Sequence, residues 1–203
     1  MRIVPNQDRD FTEWHGGCRH ALVWALDVDT PAVRERVSEA RSLLAPHLLG
    51  RYRRQPHITV AFAGLDPLPG ATPTGGLYTR EDRRGHIEGL TRLRHGPLDV
   101  EVGGWATYPM APYLEVSAPG FEPLRDLLST RPGLYTPHVT IGLYAVESEL
   151  GTVADLMADF QAPPIRLRVE AVSLMSYEAS DIAGPLTTLG RFSLTEGSWS
   201  ATA

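Results

Sequence analysis

Two short segments of this chain repeat one another. QPHITVAF (residues 55–62) and TPHVTIGL (residues 136–143) carry proline, histidine and threonine in the same places, with Ile and Val interchanged at the inner positions. Both read as strands, in which alternate side chains share a face. His57, Thr59 and Ala61 are therefore expected on one face, with Ile58, Val60 and Phe62 on the other. The second copy likewise sets His138, Thr140 and Gly142 against Val139, Ile141 and Leu143. Two such strands brought face to face place two imidazoles and two hydroxyls around a space that Ala61 and Gly142 keep open. Such a site suits in-line displacement at a phosphodiester. One histidine takes a proton from the attacking hydroxyl or water, and the other returns one to the leaving oxygen. An ordinary imidazole pKa of about 6.5 makes both protonation states accessible near neutrality. The threonine hydroxyls are placed to donate to the non-bridging oxygens, where charge concentrates in the transition state. Two histidines without converging carboxylates or cysteines make a poor zinc site, so neither a metal nor another cofactor is expected.

One His-x-Thr strand by itself is more often a half-buried histidine satisfied by a neighbour. The doubling, with proline before each copy, is what turns the reading toward function. The segments Pro56-His57-Ile58-Thr59 and Tyr135-Thr136-Pro137-His138-Val139-Thr140 together resemble the signature of the 2H phosphoesterase superfamily. That superfamily includes the bacterial 2′-5′ RNA ligase and RNA 2′,3′-cyclic phosphodiesterase proteins. GGWATYPMAPYLEV (residues 103–116) resembles its central strand, aromatic-proline turn and following strand, and PLTTLGRFSL (residues 185–194) its final strand. The resemblance spans most of residues 20–194. It implies an α+β, bilobal, duplicated fold with two antiparallel sheets flanking a central cleft, helices outside and pseudo-twofold symmetry. It also implies a metal-independent mechanism with His57 as general acid, His138 as general base, and Thr59 and Thr140 holding the phosphate. The substrate class implied is a nucleotide or RNA 3′-end with a 2′,3′-cyclic phosphate. The alternatives are a 2′-5′-linked or cyclic oligonucleotide, reversible 2′-5′ joining, or a non-catalytic nucleotide-binding module.

Many relatives of the RNA type carry a basic residue shortly after the second motif; here that stretch is Gly142-Leu143-Tyr144. Tyr144, with Tyr135 on the other side of the motif, is a candidate to stack on a base. Trp14, Trp105 and Tyr108 are weaker candidates. Arg51, Arg53 and Arg54, just before the first motif, are a candidate basic lip for a flanking phosphate.

The elements that must position these residues are legible from periodicity and punctuation. Residues 20–29 read as a buried strand. Thr30-Pro31 starts a helix that places Val33, Val37, Ala40 and Leu44 on one face and ends at Gly50. A Pro- and Gly-rich loop spans 64–76, and Thr79 with Asp82 forms a capping box opening a helix to about Leu93. Strands follow at 98–108 and 113–117, a short helix at 121–129, the motif strand at 138–143, a helix at 147–160, a long strand at 165–177 and an edge strand at 191–194. Residues 1–19 read as irregular and the tail from Thr195 as loose. The organisation expected is one domain, residues 1–203, made of two lobes that each contribute a His-x-Thr strand.

With 203 residues, 42% of them apolar, the chain has ample material for a core. Its 19 basic residues are all arginine, which excludes Schiff-base chemistry, the P-loop lysine and nucleotidyl-lysine ligation. The net charge of −5 argues against a general duplex-DNA or membrane-surface partner. The single cysteine, Cys18, forms no intrachain disulfide, and the charged start of the chain, with Pro5, lacks the apolar run of a signal peptide. A cytoplasmic location is the expectation.

Overall fold

Thr30 caps the first long helix as expected: its side chain accepts the Val33 N–H, and proline opens the first turn. The computed structural model describes residues 2–130 and 133–202. In chain order its elements begin β1 (Arg2–Ile3), α1 (Thr12–His15), β2 (His20–Asp27), α2 (Pro31–Leu44), β3 (His57–Leu65) and α3 (Arg80–Leu93). They continue with β4 (Leu98–Thr107), β5 (Pro112–Ser117), α4 (Phe121–Leu128), β6 (His138–Thr140), β7 (Ser148–Glu149) and α5 (Leu150–Leu156). The last strands are β8 (Ile165–Val169), β9 (Ala171–Glu178), β10 (Thr187–Ser193) and β11 (Ser198–Ala201).

The fold is α+β and duplicated, with an antiparallel sheet in each half. Strands β11-β10-β9-β2-β3 belong to the first and β6-β5-β4-β8 to the second, and the two join into one continuous nine-stranded order. The sheets meet edge to edge, where β3 and β6 share a single register pair, Ile58 opposite Val139. The motif strands are thus side by side rather than face to face. Each is the inner edge of its own sheet, and an edge strand's free N–H and C=O groups are satisfied by pairing with another edge. The apolar faces of α2 to α5 (among them Val33, Val37, Leu90, Leu124 and Val153) pack with Leu26, Ile58, Val139 and Leu114 into one core. Both sheets therefore carry α2 to α5 on one side, and the motif side chains face the other.

Several expected boundaries shift for local reasons. Pro46 ends α2 in a short 3-10 turn, Ala45–His47. The expected strand at 165–177 is two strands meeting at Glu170, one on each side of the molecule: β8 pairs with β4 and β9 with β2. The motif strand β6 spans three residues, and α5 is shorter than its apolar pattern suggests. The tail is ordered, with β11 on β10 and the Trp199 ring edge-on to Trp24 at 5.7 Å. No helix among the described residues is long and apolar enough to cross a membrane.

The N-terminal stretch also departs from its irregular reading. Ile3 is fully buried, β1 pairs with β7, and the Asn6 side chain donates to the Met110 carbonyl at 2.7 Å. Gly16 turns this segment back on the loop after β3 with a φ of +53°, and a Cβ there would stand 2.3 Å from the Thr72 backbone. Gly16→Ala is expected to cost more than about 1 kcal/mol, because it adds left-handed strain to a collision with backbone. A melting temperature lowered by roughly 2–4 °C or more would register it. Gly50→Ala, with nothing within 4 Å of the added carbon, serves as the control expected to melt like the parent.

Candidate active site

Three consecutive rungs across β2, β3, β6 and β5 build the site. The middle rung, Leu26–Ile58–Val139–Leu114, is fully buried beneath the helices. One residue to either side, alternation turns the side chains to the cleft. There one rung carries Asp27, His57, Thr140 and Tyr113, and the other Ala25, Thr59, His138 and Glu115. Each histidine thus faces the other motif's threonine across the seam. The two histidines stand on a diagonal, for which antiparallel geometry gives roughly 7–8 Å. A local twofold through the Ile58–Val139 pair relates His57 to His138, Thr59 to Thr140 and Asp27 to Glu115.

β3 breaks the plain alternation after Thr59. Ala25 pairs with Thr59 and Trp24 with Ala61, so Val60 is an extra residue in the strand, a β-bulge. Beyond it the faces exchange: Ala61 lies in the helix-side core, and Phe62 comes to the cleft side with Val23 and Met175. Ala61 is therefore not a cleft spacer. Neither is Gly142, where a Cβ would press on the Leu48 side chain at 3.2 Å.

Both imidazoles are wired alike. His57 Nδ1 lies 2.8 Å from the Gln55 carbonyl, and His138 Nδ1 lies 2.8 Å from that of Thr136. A carbonyl only accepts, so in the neutral ring each Nδ1 holds the hydrogen and each Nε2 keeps its lone pair. The proline between carbonyl and histidine in each copy has a fixed φ and helps hold this two-residue reach. Gln55 is itself clamped, its Nε2 donating to the Leu186 carbonyl at 2.7 Å while its Oε1 accepts the Leu186 N–H at 2.9 Å. Burial pushes His57 down to about 4, and the Arg54 and His138 charges act in the same direction. Burial also lowers His138. Both rings are accordingly neutral at pH 7 in the free protein.

The surroundings differ between the two histidines. Tyr108 and Tyr113 stack at 4.5 Å and lie 5.3 and 5.2 Å from the His138 ring. Tyr135 is 5.8 Å from the same ring, but it is stacked on Phe121 and has the Arg125 guanidinium 4.3 Å above it. Tyr144 is fully buried with its hydroxyl on Thr107 Oγ1 at 2.8 Å, so it is a core residue and cannot meet a base. Tyr108, with its exposed edge, is the aromatic at the mouth.

The three arginines before the first motif also separate. Arg51 is held by Asp8 and Asp181, so its charge is neutralised within the protein. Arg53 is exposed, its backbone N–H on the Ala183 carbonyl. Arg54 lies 4.2 Å over the Tyr177 ring with Nε on the Gly184 carbonyl at 3.2 Å, while its Nη2 is buried without a protein partner. Of the expected lip, Arg54 is the member beside His57.

Asp27, Glu115, Tyr113 and Tyr52, which lies beside the Thr140 side chain, are marked by neither motif. Aligning the strand before each motif helix, HALVWALD with PYLEVS, is the signal that finds the two carboxylates. Among the described residues no three His, Cys, Asp or Glu side chains converge as a metal site.

The model of the 2′-5′ RNA ligase superfamily matches residues 29–181, and the chain belongs to that family. Its fold is that of Escherichia coli LigT. The crystal structure of LigT complexed with 3′-AMP has a TM-score of 0.56 at 19% identity, covering 87% of this chain and 99% of that one. The apo form gives 0.54 at 17%, covering 88% and 99%. TT0787 of Thermus thermophilus gives 0.54 at 19%, covering 86% and 97%. No curated protein matches in sequence.

The depressed His57 has a stability consequence. Between about 6.5 and about 4 the unfolded chain takes up a proton that native His57 refuses. This contribution is intact above the window and is lost as pH falls through it. In urea titrations at pH 6.5 and 4.5, the midpoint of His57→Gln is expected to fall less than that of the parent. Equal falls would show that His57 is not held neutral by the fold.

Proposed function

We propose that this member of the 2′-5′ RNA ligase superfamily is a metal-independent phosphodiesterase that opens a nucleotide or RNA-terminal 2′,3′-cyclic phosphate. The observation that carries the reading is the block of two imidazoles and two hydroxyls on the two rungs that flank Ile58–Val139, each imidazole with Nδ1 committed to a carbonyl and Nε2 left for the substrate. The complexes of E. coli LigT with 3′-AMP, ATP and NADP+ support a nucleotide ligand.

In this mechanism a water oxygen attacks phosphorus opposite the leaving ring oxygen. His138 Nε2 takes the water proton as the new P–O bond forms. His57 Nε2–H gives its proton to the 2′ or 3′ oxygen as the old P–O bond breaks. One proton enters and one leaves the pair, and solvent exchange resets it. Thr59 and Thr140 donate to the non-bridging oxygens, and Arg54 supplies fixed positive charge on the His57 side. The base rests against Tyr108, backed by Tyr113. A bound anion raises the proton affinity of both rings, so the substrate itself brings His57 to the protonated state its role requires.

With EDTA present, the protein is expected to hydrolyse nucleoside 2′,3′-cyclic phosphates, and His57→Ala and His138→Ala to lose on the order of 10²–10⁴ in rate. Full turnover in the doubly substituted protein would overturn the reading. Because burial lowers both imidazoles in the free protein, the bell of kcat/KM is expected to peak on the acid side of about 6.5, with kcat peaking at higher pH. Coincident profiles centred above neutrality would contradict the charge account. Tyr108→Ala is expected to raise KM, since stacking on a base is worth about 1–3 kcal/mol.

A further inference from the structure

The seam that creates the site is held by very little backbone, and the side chains that reinforce it form a matched pair. In β3 the bulge at Val60 takes that residue out of the pairing with β2. Beyond β6, Ile141 lies outside the strand. Each is the residue directly after the motif threonine, and the carbonyl of each accepts from an arginine of the opposite half. Arg41 of α2 donates from Nε to the Ile141 carbonyl at 2.6 Å, and Arg125 of α4 donates from Nη1 to the Val60 carbonyl at 3.0 Å. The two arginines occupy corresponding helices, those joining the first strand of each repeat to its motif strand. Each also lies over a tyrosine of its own half, Arg41 over Tyr52 at 5.1 Å and Arg125 over Tyr135 at 4.3 Å. Those tyrosines in turn border the site: Tyr52 beside the Thr140 side chain, Tyr135 with its ring 5.8 Å from that of His138.

We infer that Arg41 and Arg125 are a symmetric pair of positioning residues that cross-brace the seam and so fix the spacing of His57 and His138. This rests on the phosphodiesterase reading only for its catalytic consequence; the spacing itself is a property of the free protein. Neither arginine touches the reacting atoms. A guanidinium suits the task because it is always charged, planar and able to donate to a carbonyl while lying on a ring. Arg41 uses a second nitrogen as well, Nη2 on the Arg54 carbonyl at 3.2 Å, which ties the brace to the segment entering the first motif.

The test uses the full chain with Arg41→Gln, Arg125→Gln, the two combined, and the Lys variants of each. The first readout needs no turnover. Histidine-selective ¹⁵N NMR follows the His57 titration with His138 present and replaced (His138→Gln). In the parent the replacement is expected to move the His57 midpoint upward, since the two rings feel each other's charge. In the Gln variants that movement is expected to shrink by half or more. The second readout is kinetic. Each Gln variant is expected to lose 10- to 100-fold in kcat with KM changed less than threefold, and the combined variant to lose little more than the worse single one, because either brace alone fails to hold the spacing. If a Gln variant does not fold, its Lys counterpart, which keeps the charge but not the planar geometry, is read in its place and is expected to fall between parent and Gln. A His57–His138 coupling equal to the parent's in the folded variants overturns the inference, whatever the activity. So does a lower melting temperature with kcat unchanged. A parent that hydrolyses no phosphodiester refutes the function and leaves the coupling to decide the braces.

Discussion

Everything at the site depends on the pairing of two edge strands at one rung. Ile58 and Val139 meet with their side chains buried in the common core, and that single contact fixes which side chains face the cleft on both sides of it. Because alternation has a period of two, a slip of one residue would bury the imidazoles and push Ile58 and Val139 outward. The cost of exposing those two side chains and their neighbours Leu26 and Leu114 is what forbids it. The hydrophobic effect on one face thereby sets the chemistry on the other.

The duplication was legible because its two copies keep residue types that a strand core does not require. Proline, histidine and threonine recur at positions 56–59 and 137–140, and the local wiring to the carbonyl two residues back recurs with them. The helices that position the strands were legible from Thr30, Pro31, Thr79 and Asp82, since caps are written in neighbouring residues. What lay beyond reading was whatever depends on a distant partner. Whether the motif strands stand side by side or face to face is decided by edge pairing, which leaves no trace in either segment. The bulge at Val60 inverts the expected roles of Ala61 and Phe62 without any glycine at the bulge to announce it. Tyr144, adjacent to the motif in sequence, is drawn into the core by the strand's early end, and Arg51 is neutralised by residues far away on both sides.

Symmetry supplies two equivalent imidazoles, and departures from symmetry give the site a direction. Ala25 occupies the position that Tyr113 holds in the other half, so one flank is aromatic and the other small. Arg54 adds an unpaired donor beside His57, while Tyr108 and Tyr113 enclose His138. These make two distinguishable walls around a block of four groups that is itself nearly symmetric.

The path of the chain between halves bears on how such a molecule comes into being. The strand that follows α3 leaves its own repeat to pair with β5, and the one completing the second repeat, β9, returns to pair with β2. Each half is thus finished by a strand that the other repeat supplies. A chain carrying one repeat would lack the neighbour of its first strand. When the first repeat has been synthesised its sheet is still unclosed, because the strand that flanks β2 arrives only with residues 171–178.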